Sequence, residues 1–106
     1  MNVYVKTVES EYVGNEPGST SVYADRSSGG LWEEIVLTPH PEAGGRFDAR
    51  FVASGHQLSL TPGAVLETRP SGSFGPWELF RATNQPEGVS HLYREGVDAL
   101  LLLEGR

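Results

Sequence analysis

Short alternations of apolar and polar residues, each closed by turn-forming residues, run the length of the chain. Residues 2–8 set Val3 and Val5 against Tyr4 and Lys6, the two-residue period of a half-buried strand. Residues 11–13 continue it briefly, and a Gly/Asn/Pro loop at 14–18 leads to a third short strand over 21–24. Residues 32–38 are rich in β-formers, and Pro39 and Pro41 are expected to stop them because proline cannot donate to a sheet ladder. The outline then repeats. Over 46–53, Phe47, Ala49, Phe51 and Ala53 alternate with Asp48, Arg50 and Val52, and Ser54-Gly55 turns the chain into a return over 57–60. Thr61-Pro62-Gly63 is a further turn, followed by strands over 65–68 and 77–83 and a stop at 84–88. Residues 90–94 and 99–103 complete a pattern of about ten strands with no substantial helix.

A longer repeat organises these strands. The pattern Gly-x-Trp-Glu-x-[Ile/Phe]-x-x-Thr-x-x-Pro-Glu-[Ala/Gly] runs from Gly30 through Trp32, Glu33, Ile35, Thr38, Pro41 and Glu42 to Ala43. It recurs from Gly75 through Trp77, Glu78, Phe80, Thr83, Pro86 and Glu87 to Gly88. Trp32 and Trp77 stand 45 positions apart, and every later match keeps that register, which is the mark of a fold built from copied units. The units span about 1–45, 46–89 and an incomplete 90–106 within one domain. In the third, residues 90–94 match 49–53, residues 99–103 are assigned to the return strand at 57–60, and no third Gly-x-Trp-Glu follows.

Composition narrows the chemistry. With 106 residues the chain supports a single core, and without cysteine it holds neither disulfides nor thiolate metal sites. Eight basic against fourteen acidic residues give a net charge of −6 and no basic stripe, so nucleic acid is an unsuitable partner. Residues 1–9 lack a signal-peptide pattern and no apolar run nears the roughly 18 residues of a membrane span, so a soluble chain without membrane insertion is expected, its compartment unassigned.

Catalytic groupings are missing from the pattern. His40, His56 and His91 have no zinc spacing, no Gly-x-Ser-x-Gly elbow occurs, and a phosphate-cradling loop lacks its helix. The expectation is a non-enzyme with no cofactor and no metal. Glu33 and Glu78, repeating with the fold, read as turn or backbone hydrogen-bond partners. Trp32 and Trp77 read as structural anchors, together with Glu33, Ile35, Glu78 and Phe80, each unit giving one indole to a shared core. The sharper alternative is an exposed indole stacking on a sugar ring. Strand alternation puts Ile35 with Leu37, and Phe80 with Ala82, on one face, which leaves each Trp on the other unless the strand bends at its start.

Units of about 40 residues with four short strands, and Gly-x-Trp-Glu-x-[Ile/Phe] at the last strand, resemble the β-trefoil class. The wording of residues 75–80 is similar to fascin-like, actin-crosslinking-type units and more distantly to ricin-type lectins, where Gly30 and Gly75 replace the Gln of the lectin motif. The resemblance implies a trefoil-like barrel and binding of carbohydrate, actin or other proteins. Modules of this kind also occur on phage tail and cell-wall-degrading proteins.

Two functions follow as expectations. One is a structural, assembly or adaptor protein, such as a virion decoration or tail component, acting through a protein partner or as a homo-oligomer. An unfinished third unit would leave Leu100, Leu101, Leu102 and Leu103 as an unpaired edge for another chain to cover. A longer parent protein, or an open barrel that is not a trefoil, would explain the same feature. The alternative function is a lectin-like module for cell-surface or cell-wall glycans. Its candidate contacts are Tyr12, Tyr23, Phe74, Trp77, Asn84, Gln85 and Tyr93, aromatic rings for stacking and short amides for hydroxyls.

Overall fold

A computed structural model describes residues 1–84 and 90–105. The strands, in chain order, are β1 (Asn2–Lys6), β2 (Tyr12–Gly14), β3 (Tyr23–Arg26), β4 (Glu34–His40), β5 (Arg46–Phe51), β6 (Gln57–Leu60), β7 (Leu66–Arg69), β8 (Leu79–Asn84), β9 (Ser90–Tyr93) and β10 (Leu101–Gly105). Among the described residues the one helical element is a 3₁₀ turn at Pro41–Ala43. It ends on Gly44, whose φ of 74° lets the chain leave through the left-handed region.

Six strands close into an antiparallel ring. β1 pairs with β4, β4 with β5, β5 with β8, β8 with β9, β9 with β10, and β10 returns to β1. The remaining four form two hairpins, β2–β3 and β6–β7, one in each of the first two units. This is a β-trefoil-like barrel. Alternation along the ring strands sends Val3, Val5, Ile35, Leu37, Ala49, Phe51, Phe80, Leu92 and Leu101 inward, and Val13, Leu58 and Leu60 join them from the hairpins. Phe51 and Phe80 are fully buried, each contributing roughly 1.5–3 kcal/mol by leaving water.

Closure corrects the reading of the third unit. β10 does not occupy the place of the return strand β6. It takes the place of β4 and β8 as the last ring strand, with Leu101 opposite Leu92 and Leu103 opposite both Ser90 and Val5. What the third unit lacks is the hairpin, where residues 94–100 form a short connection with Val97 and Ala99 packed against the core. Leu102 and Leu103 are therefore paired on both sides and Leu101 pairs with Leu92, so the run lies within the closed ring and supplies no open edge. Leu100 precedes the strand and is exposed.

Several boundaries also move: β3 runs two residues later than expected, β5 ends at Phe51 and β1 at Lys6, and the ends of β4 and the start of β8 shift too. Pro39 does not stop β4, which runs to His40. β4 leaves β1 after Val36 and the Leu37 N–H to Met1 O bond, so its last residues have a neighbour on one side only, where proline is tolerated. At the other end, β4 and β8 begin at Glu34 and Leu79 rather than at the tryptophans.

Candidate functional site

The repeated Gly-x-Trp-Glu segments are turns that deliver the chain from a hairpin into a ring strand. In the first, the Gly30 N–H donates to Glu33 Oε1 at 2.8 Å and the Glu33 N–H donates back to Gly30 O at 3.2 Å. In the second, Gly75 and Glu78 make the same reciprocal pair, both at 3.0 Å. Glycine leaves room for the carboxylate, since a Cβ on Gly30 would lie 3.2 Å from Glu33 Oε1 and one on Gly75 3.0 Å from Glu78 Oε1, tight enough that the carboxylate would have to shift. The tryptophan backbone is also used. Trp32 O accepts from Asn15 N at 3.1 Å and Trp77 O from Leu60 N at 2.9 Å, and Asn15 and Leu60 are again 45 positions apart.

The glutamates bond to their turns as expected, whereas the tryptophans lie elsewhere than expected. Glu33 and Glu78 are buried at 7% exposure, whereas Trp32 and Trp77 are each 39% exposed. The tryptophans are thus not core anchors; Ile35 and Phe80, both fully buried, fill that role. The strand starts two residues later than expected, so each indole belongs to the turn and projects from the barrel. The alternation that aligned Ile35 and Leu37 placed the Trp on the other face, and Leu31, at 75% exposure, marks the same outward turn.

Each buried carboxylate needs a second donor, and the two units find it differently. Glu78 Oε2 accepts from Ser59 Oγ at 2.8 Å. The residue 45 positions before Ser59 is Gly14, which has no hydroxyl to offer. In its place the Tyr23 hydroxyl reaches across Gly14 to donate to Glu33 Oε2. A Cβ on Gly14 would meet the Tyr23 ring at 2.5 Å. Burial, and then Glu33, push the Tyr23 hydroxyl up to about 12, so it stays a donor.

Around Trp32 lies a shallow concavity of about 560 Å³ whose rim includes Arg26, Ser27, Ser28 and Leu31. Around Trp77 the neighbour is Arg69, its guanidinium 6.0 Å from the ring centre, with Phe74 exposed across Gly75-Pro76. Phe74 rests edge-on against His40, ring centres 4.6 Å apart. His40 is itself clamped, Nε2 at 2.6 Å from Asp48 Oδ2 and Nδ1 at 3.1 Å from Glu42 Oε1. The Asp48 hydrogen bond leads in raising the His40 pKa, with Glu42 adding to it. Asp48 Oδ1 accepts from Gln57 Nε2 at 3.0 Å, and Gln57 Oε1 accepts from the Gly72 N–H at 3.3 Å. The relay ties the loop that carries Phe74 and Trp77 to the ring.

The aromatic contacts expected from sequence do not form one cluster. Tyr12 and Tyr23 belong to the first hairpin, and both hydroxyls are committed to carboxylates. The Tyr12 hydroxyl donates to Glu104, at 2.8 Å and 3.0 Å from its two oxygens, and this bond raises the Tyr12 pKa. Phe74 and Trp77 share the loop before β8, and Tyr93 sits half-buried opposite Arg81. Asn84 pairs with Ser90 through the backbone, and Gln85 lies outside the described residues. Leu31 and Arg26, which line the concavity beside Trp32, were not singled out from the sequence. The adjacency of Leu31 to Trp32 was the available signal, since two large apolar neighbours on a turn cannot both enter the core.

No family model matches the sequence, and no curated protein matches it. Solved structures match at the level of fold. The designed three-fold symmetric protein ThreeFoil aligns over 99% of this chain and 89% of its own, with a TM-score of 0.71 and 17% identity. The GlcNAcα1-4Gal-releasing endo-β-galactosidase of Clostridium perfringens aligns over 99% of this chain at a TM-score of 0.69 and 8% identity. The chain spans 29% of the length of that enzyme structure. Both likenesses are to the β-trefoil-like barrel.

Proposed function

We propose that the protein is a non-catalytic carbohydrate-binding module whose repeated turns present Trp32 and Trp77 as stacking platforms. The observation that carries this reading is the division within the motif. Its glycine, carboxylate and tryptophan backbone are consumed by the turn, while the indole, the largest apolar group in it, is left at the surface twice in the same register. A pyranose offers a C–H face to an aromatic ring and hydroxyls to polar neighbours. Beside Trp32 those neighbours are Ser27, Ser28 and Arg26; beside Trp77 the neighbour is Arg69. Rigid turns lower the ordering cost of binding, and two platforms on one chain permit avidity on a polyvalent glycan. The endo-β-galactosidase adds that a barrel of this shape occurs within a protein releasing GlcNAcα1-4Gal.

Assembly or adaptor function is the second reading. Its support from an open leucine edge is gone, but exposed Leu31 beside Trp32 is a surface pair that a protein partner would bury equally well. Glycan-array screening of wild-type protein, followed by fluorescence titration with the retained glycan, separates the two. Binding by the 11.5 kDa monomer, reduced in Trp32→Ala and in Trp77→Ala and lost in the double variant, is expected. An empty array together with a stable multimer in light scattering would instead favour assembly.

A further inference from the structure

The geometry points to an oxyanion-binding site between the second and third units, lined by Arg46, Arg81 and Arg94. These three guanidinium groups, with Pro76, Leu79 and Glu95, enclose a concavity of about 230 Å³. The chain has only eight basic residues and a net charge of −6, so three arginines around one hollow, with Glu95 the one carboxylate among its described lining residues, is a local reversal of sign. Arg46 and Arg94 are partly buried, while the Arg81 side chain is 38% exposed.

Each arginine is held in place from behind. Arg46 Nε donates to Ala43 O at 2.7 Å. Arg81 Nη1 donates to Gly44 O at 3.1 Å and its Nε to Glu95. Arg94 Nε donates to Pro76 O at 2.9 Å and its Nη1 to Leu60 O. These bonds fix the planes of the groups and, among the described residues, engage five of the roughly fifteen N–H donors that three guanidiniums carry. Arg46 and Arg81 also each lie one step beyond the Phe47 and Phe80 pair that ends the β5–β8 ladder, which sets two like charges at the same end of it at some cost. An anion bridging them removes that cost.

The fold itself does not ask for this grouping. The residue 45 positions before Arg81 is Val36, so the corresponding place in the first unit carries no charge. Arg94 begins the connection that stands in for the missing third hairpin, and the hollow opens where that connection meets the Pro76 turn. Fixed, forked donors suit a sulfate, a phosphate or a carboxylate, each able to accept two parallel N–H bonds from one arginine. Trp77 is not among the lining residues, although its near neighbours in the chain Pro76 and Leu79 are, and the site does not rest on the glycan reading.

Calorimetric titration with sodium sulfate, sodium phosphate and sodium glucuronate, each against sodium chloride at matched ionic strength, tests it. Saturable binding of at least one of the three is expected, and the preferred ion tells a tetrahedral from a planar ligand. Arg46→Gln, which gives up a single backbone bond, should weaken binding about tenfold or more. Glu95→Gln should tighten it, because the competing charge is removed while the amide oxygen can still accept from Arg81 Nε and keep that arginine in place. Responses indistinguishable from chloride, an unchanged affinity in Arg46→Gln, or weaker binding in Glu95→Gln would each overturn the proposal.

Discussion

The first two units build one turn with different parts. In the second unit, Ser59 on β6 reaches Glu78 directly; in the first, glycine stands at that place and Tyr23 from the neighbouring strand reaches Glu33 over it. The carboxylate, its glycine and its buried position are the same in both. A buried carboxylate left without donors costs far more than a change in which residue donates, so the hydroxyl's origin is free to vary while its presence is not. The indole beside it is under no such demand. The third unit, with neither hairpin nor motif, marks the limit of what can be omitted: the ring strand stays and the cap goes.

The largest effect should come from the part that even the third unit keeps. Deleting residues 101–105 removes β10, leaves β1 and β9 each with one open edge and opens the barrel. Loss of cooperative thermal unfolding is expected; a truncated chain that still melts cooperatively would show that the ring is dispensable.

Next in size is the carboxylate. Glu33→Ala and Glu78→Ala each strand a glycine N–H and a hydroxyl, and each should lower stability by about 2–4 kcal/mol in urea denaturation. An effect under 1 kcal/mol would mean that water replaces the carboxylate freely.

A swap of solutions sharpens the same comparison. Gly14→Ser alone forces its side chain into Tyr23 and should cost about 1–3 kcal/mol. Adding Tyr23→Ala, so that the new serine takes the role of Ser59, should recover part of that loss. A double variant less stable than the sum of the singles would show that the two units are not interchangeable.

The smallest effect belongs to His40, since its Glu42 arm is exposed to solvent. The pKa of His40 is raised above its ordinary 6.5, so the folded state favours the protonated ring. The stabilisation is complete below pH 6.5 and is lost as pH climbs through the raised folded value. Stability of wild type relative to His40→Gln should therefore decline as the solution is taken from pH 6 towards pH 9. A flat difference would show that His40 does not titrate above its unfolded value.

Much of the fold was legible because its signals are local. Alternation and turn residues place all ten strands, Gln57–Leu60 to the residue, and the 45-residue register carries over to the backbone bonds of Asn15 and Leu60. The error in the third unit has a physical cause: a missing hairpin and a missing final strand shorten a sequence alike, and only strand pairing across the ring tells them apart. Trp32 and Trp77 were misread because large apolar area weighs towards the core, whereas the Gly-to-Glu spacing that turns them outward is a geometric fact of the turn. Nothing in the spacing of Arg46, Arg81 and Arg94 along the chain suggests that they meet.

Most direct of all is the fate of the barrel when both indoles are removed. The Trp32→Ala, Trp77→Ala double variant, followed by urea denaturation and by titration with the array-selected glycan, should keep a cooperative transition within about 2 kcal/mol of wild type, as expected of surface positions, and should bind no glycan. Collapse of the fold would return the tryptophans to the core, and undiminished glycan binding by a folded variant would contradict their role as platforms.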